Sequence, residues 1–342
     1  MPGSHPIADA HVDLLLEVVW RRERGESDPF REHWLPLLEA GGVRLQVCPV
    51  YVEGDRVPDG ALRRALTLVA AFREAARLSA DRAVRVETQS DLDRAGGEGR
   101  IGLVLALEGT EALGSSPELI DVFWALGVRM VGLTWSRRNA FADGSGEPRA
   151  GGLSRLGEQL VDRLCSLGAI VDLAHASEQT FEDALARLDP RSPVLVSHAC
   201  CRTVCDSPRN VSDDQLVALA ERDGLVGVMA LPSAVDPEQP DLERLLDHVE
   251  HAVAVAGAEH VCFGADFMSR LVRTGAVTPT PRELATLPPG LEPGAPVTGF
   301  AGPEDYPALA AALARRGLDE AVVSALLHGN LVRFLRRALP DE

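Results

Sequence analysis

Lysine is absent from this 342-residue chain; all 34 basic side chains are arginine. A GC-rich coding bias accounts for such a skew, yet its chemical effect stands: lysine is excluded from every catalytic role. Positive charge is scarce as well, with 51 acidic residues leaving a net charge of -17. Nucleic acid and anionic membrane surfaces are therefore excluded as partners, because both would repel the protein. A small substrate is not excluded, since it feels the local site more than the whole-molecule charge. Long apolar runs are missing; stretches such as 101–107 are far too short to span a bilayer. Residues 1–9 lack the basic and apolar regions of a signal peptide. The six cysteines show no disulfide-scaffold spacing, and Cys200, Cys201 and Cys205 lack the second thiolate pair of a zinc cluster. A reduced, cytoplasmic protein is expected.

What is present is a 46% apolar fraction, enough for a large core, and no segment resembles a disordered tail. Short apolar runs alternate with longer helical patterns, the mark of repeated βα units around a parallel sheet. Strands are predicted at 7–13, 43–50, 101–107, 128–134, 169–174, 194–197, 225–230 and 261–265. Amphipathic helices are predicted at 61–78, 118–126, 153–167, 178–188, 213–221 and 241–256, several behind serine start signals. Eight strands in this order predict one α/β domain over residues 1–342, a (β/α)8 TIM barrel with a C-terminal helical extension at 307–316 and 319–339. The Pro- and Gly-rich stretch 269–303 follows the last strand, where a barrel carries its chemistry, and is read as a lid or specificity loop or else a surface excursion.

Polar residues fall at the strand ends. His11 and Asp13 lie two apart at the end of the first predicted strand, so an extended chain points both to one face. Glu108, His175, His198 and Asp266 each directly follow a predicted strand. Taken singly, such a residue is most often a structural hydrogen-bonding group. In a barrel, however, the strand ends converge on one mouth, and imidazoles with carboxylates are the ligands of zinc and related divalent metals. Three histidines and three carboxylates exceed the needs of one tetrahedral ion, so two ions sharing a bridging carboxylate are expected. A carboxylated lysine cannot be that bridge here, which leaves Glu108 at the end of a middle strand. Asp172, three residues before His175, points away from it and is read as structural.

Taken in order, these residues carry a resemblance to the membrane (renal) dipeptidase family, the M19 peptidases of the amidohydrolase superfamily. It runs through Ala8-Asp9-Ala10-His11-Val12-Asp13, Leu107-Glu108-Gly109, Val171-Asp172-Leu173-Ala174-His175 and Ser197-His198. It continues through Pro208-Arg209-Asn210, Gly264-Ala265-Asp266-Phe267 and Gly329-Asn330-Leu331-Val332-Arg333. The resemblance implies a zinc-dependent dipeptidase with two Zn2+ ions, His11 and Asp13 on the first, His175 and His198 on the second, and Glu108 on both. It implies hydrolysis by a metal-bridging hydroxide attacking the scissile amide, with Asp266 as proton-handling general base and then acid. It implies that Arg209 holds a small peptide-like substrate by its C-terminal carboxylate, and it allows a homodimer.

The sequence departs from the family around the substrate. Leu133-Thr134-Trp135 stands where better-known members have Leu-Thr-His, so Trp135 either donates its indole N–H or packs the barrel mouth. Met268-Ser269 follows Asp266-Phe267 in place of Asp-Gly, and Met229-Ala230-Leu231-Pro232 lacks an aromatic residue. Three readings follow: a dipeptidase, a hydrolase of a related amide such as a Cys–Gly conjugate in a biosynthetic route, or a non-catalytic metal-binding barrel. Asp266 counts against the last, which needs no proton shuttle.

Overall fold

The computed structural model describes residues 5–280, 284 and 287–341. Its strands are β1 (Ile7–Asp9), β2 (Val43–Tyr51), β3 (Ala83–Arg85), β4 (Ile101–Glu108), β5 (Val128–Gly132), β6 (Ile170–Asp172), β7 (Val194–Ala199), β8 (Leu225–Val228) and β9 (Val261–Phe263). Eight of them close in the parallel order β1-β2-β4-β5-β6-β7-β8-β9 and back to β1, the (β/α)8 TIM barrel that the sequence predicts. β3 is an addition, too short to show any periodicity. It pairs with residues 101–103 on the edge of β4 that β5 occupies from Leu105 onward.

Helices fill the crossovers. Ala61–Leu78 and Asp213–Glu221 run at their predicted bounds, the second behind a capping box of Ser212 and Gln215. Ser154 and Asp241 turn their side chains onto the N–H groups of Gly157 and Arg244, so the helices after them begin at Arg155 and Leu242. Gln89–Glu98 has no matching expectation, since two glycines spoil its propensity; the Thr88–Asp91 capping box starts it. No helix among the described residues is long and apolar enough to cross a membrane.

The core has two layers, and period-two alternation assigns residues to them. On β4, Leu103, Leu105 and Leu107 face the helices, while Val104 and Ala106 join Leu45, Val47, Met130 and Leu195 in a separate inner cluster. The helix Asn330–Ala338 adds Leu331, Phe334 and Leu335 to that inner cluster, a stripe at helical spacing. Asn330 fixes it there, its Nδ2 donating to the carbonyls of Ala258 and Val261, both at 2.7 Å, where β9 begins. The C-terminal extension therefore closes the N-terminal end of the barrel. The predicted helix 319–339 is split into Glu320–Ser324 and Asn330–Ala338 by a wider π turn at Ala325–Gly329.

Five strands, β1, β5, β6, β8 and β9, end sooner than predicted, and two of them, β1 and β6, do so by one device. Asp9 Oδ1 accepts from the N–H of His11 at 2.9 Å and of Ala265 at 3.2 Å. Asp172 Oδ1 accepts from the N–H of Ala174 and of Ser197, both at 2.9 Å. In each case a buried carboxylate takes the N–H two residues on together with one from within or just beyond the neighbouring strand, and turns the chain out of the sheet. His11 and Asp13 thus sit on a turn, not on an extended strand, and Asp13 caps the helix Leu14–Arg22 by position. Asp9 Oδ2 also accepts from the Tyr306 hydroxyl at 2.7 Å.

Within 269–303, the helix Met268–Thr274 is tied down by Arg270, which donates to buried Glu17 at 2.7 and 3.1 Å, and the stretch rejoins the core at Val297 and Phe300. The middle of the predicted lid, 281–283 and 285–286, lies outside the described residues.

Strands β7, β8 and β9 approach closely at Gly227 and Gly264. A Cβ there would lie 2.0 and 1.9 Å from the Ser197 carbonyl oxygen, a backbone atom that cannot step aside. Gly264→Ala is expected to cost at least about 1–3 kcal/mol by overpacking, read as a lower urea midpoint at unchanged m value. Gly97→Ala, in open space on the helix Gln89–Glu98, is the contrast and should be neutral or stabilising by up to about 1 kcal/mol.

Candidate metal centre

Each strand delivers its polar residue to the mouth in its own way. β4 runs straight, so the alternation that turns Val104 and Ala106 inward turns Glu108 inward after them. β1 and β6 use the aspartate turns to bring up His11 and His175. His175 at φ 63° and Asp266 at φ 52° take the left-handed conformation, uncommon for residues with a Cβ and typical of functional positions. Backbone bonds hold both: the His175 carbonyl accepts from Ser145 N at 2.7 Å, and Asp266 N donates to the His11 carbonyl at 2.9 Å. β7 shifts register against β8 between Val196 and Ala199, a bulge at Ser197 and His198.

These turns bring all six predicted strand-end residues together. Glu108 Oε1 lies 2.9 Å from His175 Nε2 and 3.6 Å from His198 Nε2, while its Oε2 lies 3.6 Å from His11 Nε2. His11 Nε2 is 3.9 Å from Asp13 Oδ2, and its ring stacks on that of His198 with centroids 3.6 Å apart. The two Nε2 atoms of His175 and His198 approach to 3.0 Å. Among these six, two sets have ligand atoms within 4.8 Å of one another, His11 with Glu108 and His198, and His11 with Asp13 and Asp266. Asp266 thus stands at ligand distance too, beyond the proton-handling role the sequence suggests.

The donors fit divalent cations. None of the six residues is more than 8% exposed, and three of their buried atoms, His11 Nε2, Asp13 Oδ1 and Glu108 Oε2, have no hydrogen-bond partner. An unsatisfied buried polar atom costs about 1–3 kcal/mol, so three at one spot are hard to explain unless a cation satisfies them. Nitrogen and carboxylate oxygen together suit zinc and its neighbours.

The electrostatics agree. Burial, reinforced by the charge on Asp13, holds Glu108 well above the usual carboxylate range, although His11 and Arg209 oppose it. Burial also raises Asp266 to about 6, with Asp13 adding to the effect and His11 and Arg209 resisting. Burial pushes His175 and His198 well below the usual histidine range, and the cationic neighbours Arg209 and His11 push them further, so both rings are neutral and ready to ligate. Burial disfavours charge on His11 as well, but Glu108 and Asp13 outweigh it and raise the group to about 10. The carboxylates call for positive charge.

Arg209 lies on the loop after β7, half-buried, its Nη2 donating to the His198 carbonyl at 2.8 Å. Trp135, half-buried on the loop after β5, has its ring 5.7 Å from that of His175 and 5.4 Å from that of Tyr51. Sequence reasoning passed over Ser136 and Ser197, whose hydroxyls meet His175 Nδ1 at 2.8 Å and His198 Nδ1 at 2.7 Å. The only available signal was adjacency, Ser197 beside His198 and Ser136 beside Trp135. Among the described residues no cysteine joins a set that could hold a metal, and all six are free thiols.

A sequence profile of the membrane dipeptidase family (peptidase family M19) matches residues 3–276. Dipeptidase verJ of Clonostachys rogersoniana is 30% identical over 257 residues, covering 75% of this chain and only 60% of that protein's length. Among solved structures, a metallopeptidase from Rhodobacter sphaeroides, liganded with a phosphinate mimic of the dipeptide L-Ala-D-Ala, is 24% identical. It superposes with a TM-score of 0.82, over 98% of this chain and 100% of that one. The dipeptidase AC, a metallopeptidase of family M19, is 26% identical with a TM-score of 0.81, over 98% and 99% of the two chains.

Protein prepared without chelator is expected to carry close to two divalent ions per chain by elemental analysis, because Glu108 faces imidazoles with both oxygens. A single ion in metal-replete protein, with no second site on titration, overturns the two-ion arrangement.

Proposed function

The chain belongs to the membrane dipeptidase family, peptidase family M19, and on that premise we propose that it hydrolyses dipeptides with two zinc ions at the barrel mouth. The observation that carries this reading is the division of Glu108, one oxygen toward His175 and His198 and the other toward His11. In this reading His11 and Asp13 hold one ion, His175 and His198 the other, and Glu108 both. Two such ions, when bound, supply Lewis acidity toward a scissile carbonyl and an activated water. The protein's own residues do the rest. Asp266, buried and with a raised pKa, can take a proton and return it to the departing amine. Its left-handed backbone, pinned to the His11 carbonyl, keeps the carboxylate beside the metal ligands. Arg209, its plane set by the His198 carbonyl, receives the substrate's C-terminal carboxylate, a contact suited to guanidinium. Trp135 and Tyr51 form the wall beside His175. The free thiols fit a reducing, cytoplasmic compartment.

Asp266→Asn is expected to retain both metals by elemental analysis and lose about two orders of magnitude or more in turnover. As a base Asp266 must be ionised, so activity falls as pH drops through its pKa. Bound cations only lower that value, which places the acid limb of kcat/KM at or below about pH 6. A variant with near-native turnover removes Asp266 from the proton path.

Arg209→Met is expected to cost about 10- to 150-fold in kcat/KM for a dipeptide with a free carboxylate, the equivalent of about 1.5–3 kcal/mol. The same dipeptide amidated, already a poor substrate, should change little, so two enzymes against two substrates isolate the coupling. Equal losses on both would mean that Arg209 supports the pocket without reading the carboxylate. The Cys–Gly-type conjugate would then become the better substrate class to test.

A further inference from the structure

The two histidines beside Glu108 Oε1, His175 and His198, are held differently at their outer nitrogens. His198 Nδ1 lies 2.7 Å from Ser197 Oγ, which lies 2.5 Å from Asp172 Oδ2. Asp172 Oδ1 is already committed to two backbone N–H donors, those of Ala174 and Ser197. His175 Nδ1 meets only the Ser136 hydroxyl, at 2.8 Å, and that hydroxyl has no other hydrogen-bond partner among the described residues. All of the His198 contacts are buried.

The direction of each bond follows from what its members can donate. A carboxylate only accepts, so the Ser197 O–H must donate to Asp172. Having given its single hydrogen, the Ser197 oxygen can only accept, and the group facing it must carry the N–H. We propose that Asp172 and Ser197 form a relay that fixes His198 as the Nδ1–H tautomer, keeping its Nε2 a bare lone pair aimed at Glu108 and His175. His175 has no such relay: a lone hydroxyl can turn to donate or accept, so either tautomer is open to it. The pair therefore divides into one pre-set ligand and one adaptable ligand. This reading rests on His198 as a metal ligand, and it makes Asp172 and Ser197 positioning residues. Outer hydrogen bonds of this kind orient and tune ligating histidines generally.

The relay makes a prediction that simple packing does not. In Asp172→Asn the side-chain carbonyl still accepts from Ala174 and Ser197, so the turn survives. The amide nitrogen now donates to Ser197 Oγ, whose hydrogen turns toward His198 Nδ1 and forces the N–H onto Nε2. The isosteric change thus inverts the relay, whereas Ser197→Ala merely removes it and leaves both tautomers open. Ser197→Thr keeps the hydroxyl and should behave as wild type.

The test uses the full-length protein, metal-free and 15N-labelled, with the His198 signals assigned by comparison with His198→Gln. Long-range 1H–15N spectra should report Nδ1–H in wild type and Ser197→Thr, and Nε2–H in Asp172→Asn. Titration with Zn2+ alone, against a chromophoric chelator, should show the second site weakened about 10- to 100-fold in Asp172→Asn. The loss should be smaller in Ser197→Ala and absent in Ser197→Thr. An Asp172→Asn protein that keeps Nδ1–H and native zinc affinity overturns the relay, as does a greater loss in Ser197→Ala. Should Asp172→Asn not fold, the comparison of Ser197→Ala with Ser197→Thr still decides: equal zinc affinity in the two refutes the relay. Wild-type protein that takes up no second zinc ion refutes the metal assignment instead, and the tautomer spectra still judge the relay.

Discussion

The meeting of His11 and His175 with the other residues of the mouth depends on two buried carboxylates that end strands. Asp9 and Asp172 each replace a ladder partner with a side-chain oxygen, accepting one N–H from two residues on and one from within or just beyond the adjacent strand. The chain must leave the sheet at that point, and the residues that follow turn over the barrel axis. The same bonds stitch β1 to the β9 end and β6 to β7, so shaping the site and closing the barrel are one operation. Satisfying a buried N–H is worth only about 1 kcal/mol net, but leaving it unmet costs more, and this asymmetry is what makes the turns obligatory.

The mouth stands in tension with the rest of the molecule. Elsewhere several buried charges and polar groups are paired: Glu17 takes Arg21 and Arg270, Asn330 bridges two carbonyls, and Tyr306 closes on Asp9. Between Asp13, Glu108 and Asp266, by contrast, three carboxylates share a buried space, with Arg209 and Arg137 near Glu108, and two of them carry oxygens without a hydrogen-bond partner. A fold tolerates such a spot when its scaffold is strong. Here the inner cluster and the helix Asn330–Ala338 supply the packing at the opposite end, and the glycines beside Ser197 let three strands meet without a gap.

Much of this was legible in the sequence, for a physical reason. Strands buried on both faces read as continuous apolar runs, and a polar residue just past such a run has nowhere to go but the mouth. Glu108 and His198 were placed that way. The extended pairing of His11 with Asp13 does not hold, because Asp9 reads as the middle of a strand and is its last residue, and its second backbone donor, Ala265, lies far along the chain. β3 escaped because three residues carry no period, and the helix Gln89–Glu98 because its glycines hide a capping box. Ser197, behind His198, offers only its adjacency as a signal, for a different reason. Neighbours in a strand normally face opposite ways, and only the β7 bulge brings Ser197 and His198 onto the same contact.

The left-handed backbone at His175 and Asp266 shapes how this site can be lost over evolutionary time. At such angles a β-branched side chain is heavily strained, while asparagine and glycine fit at little conformational expense. Mutational drift away from hydrolysis is therefore channelled. Lineages that keep the barrel but abandon the chemistry should accumulate Asn or Gly at these two positions rather than Val, Ile or Thr. A descendant with Asn at both would keep the same backbone path and strand closure while having lost the ligand and the proton carrier proposed above. Such a pair in a relative's sequence would mark a retired enzyme that kept its architecture.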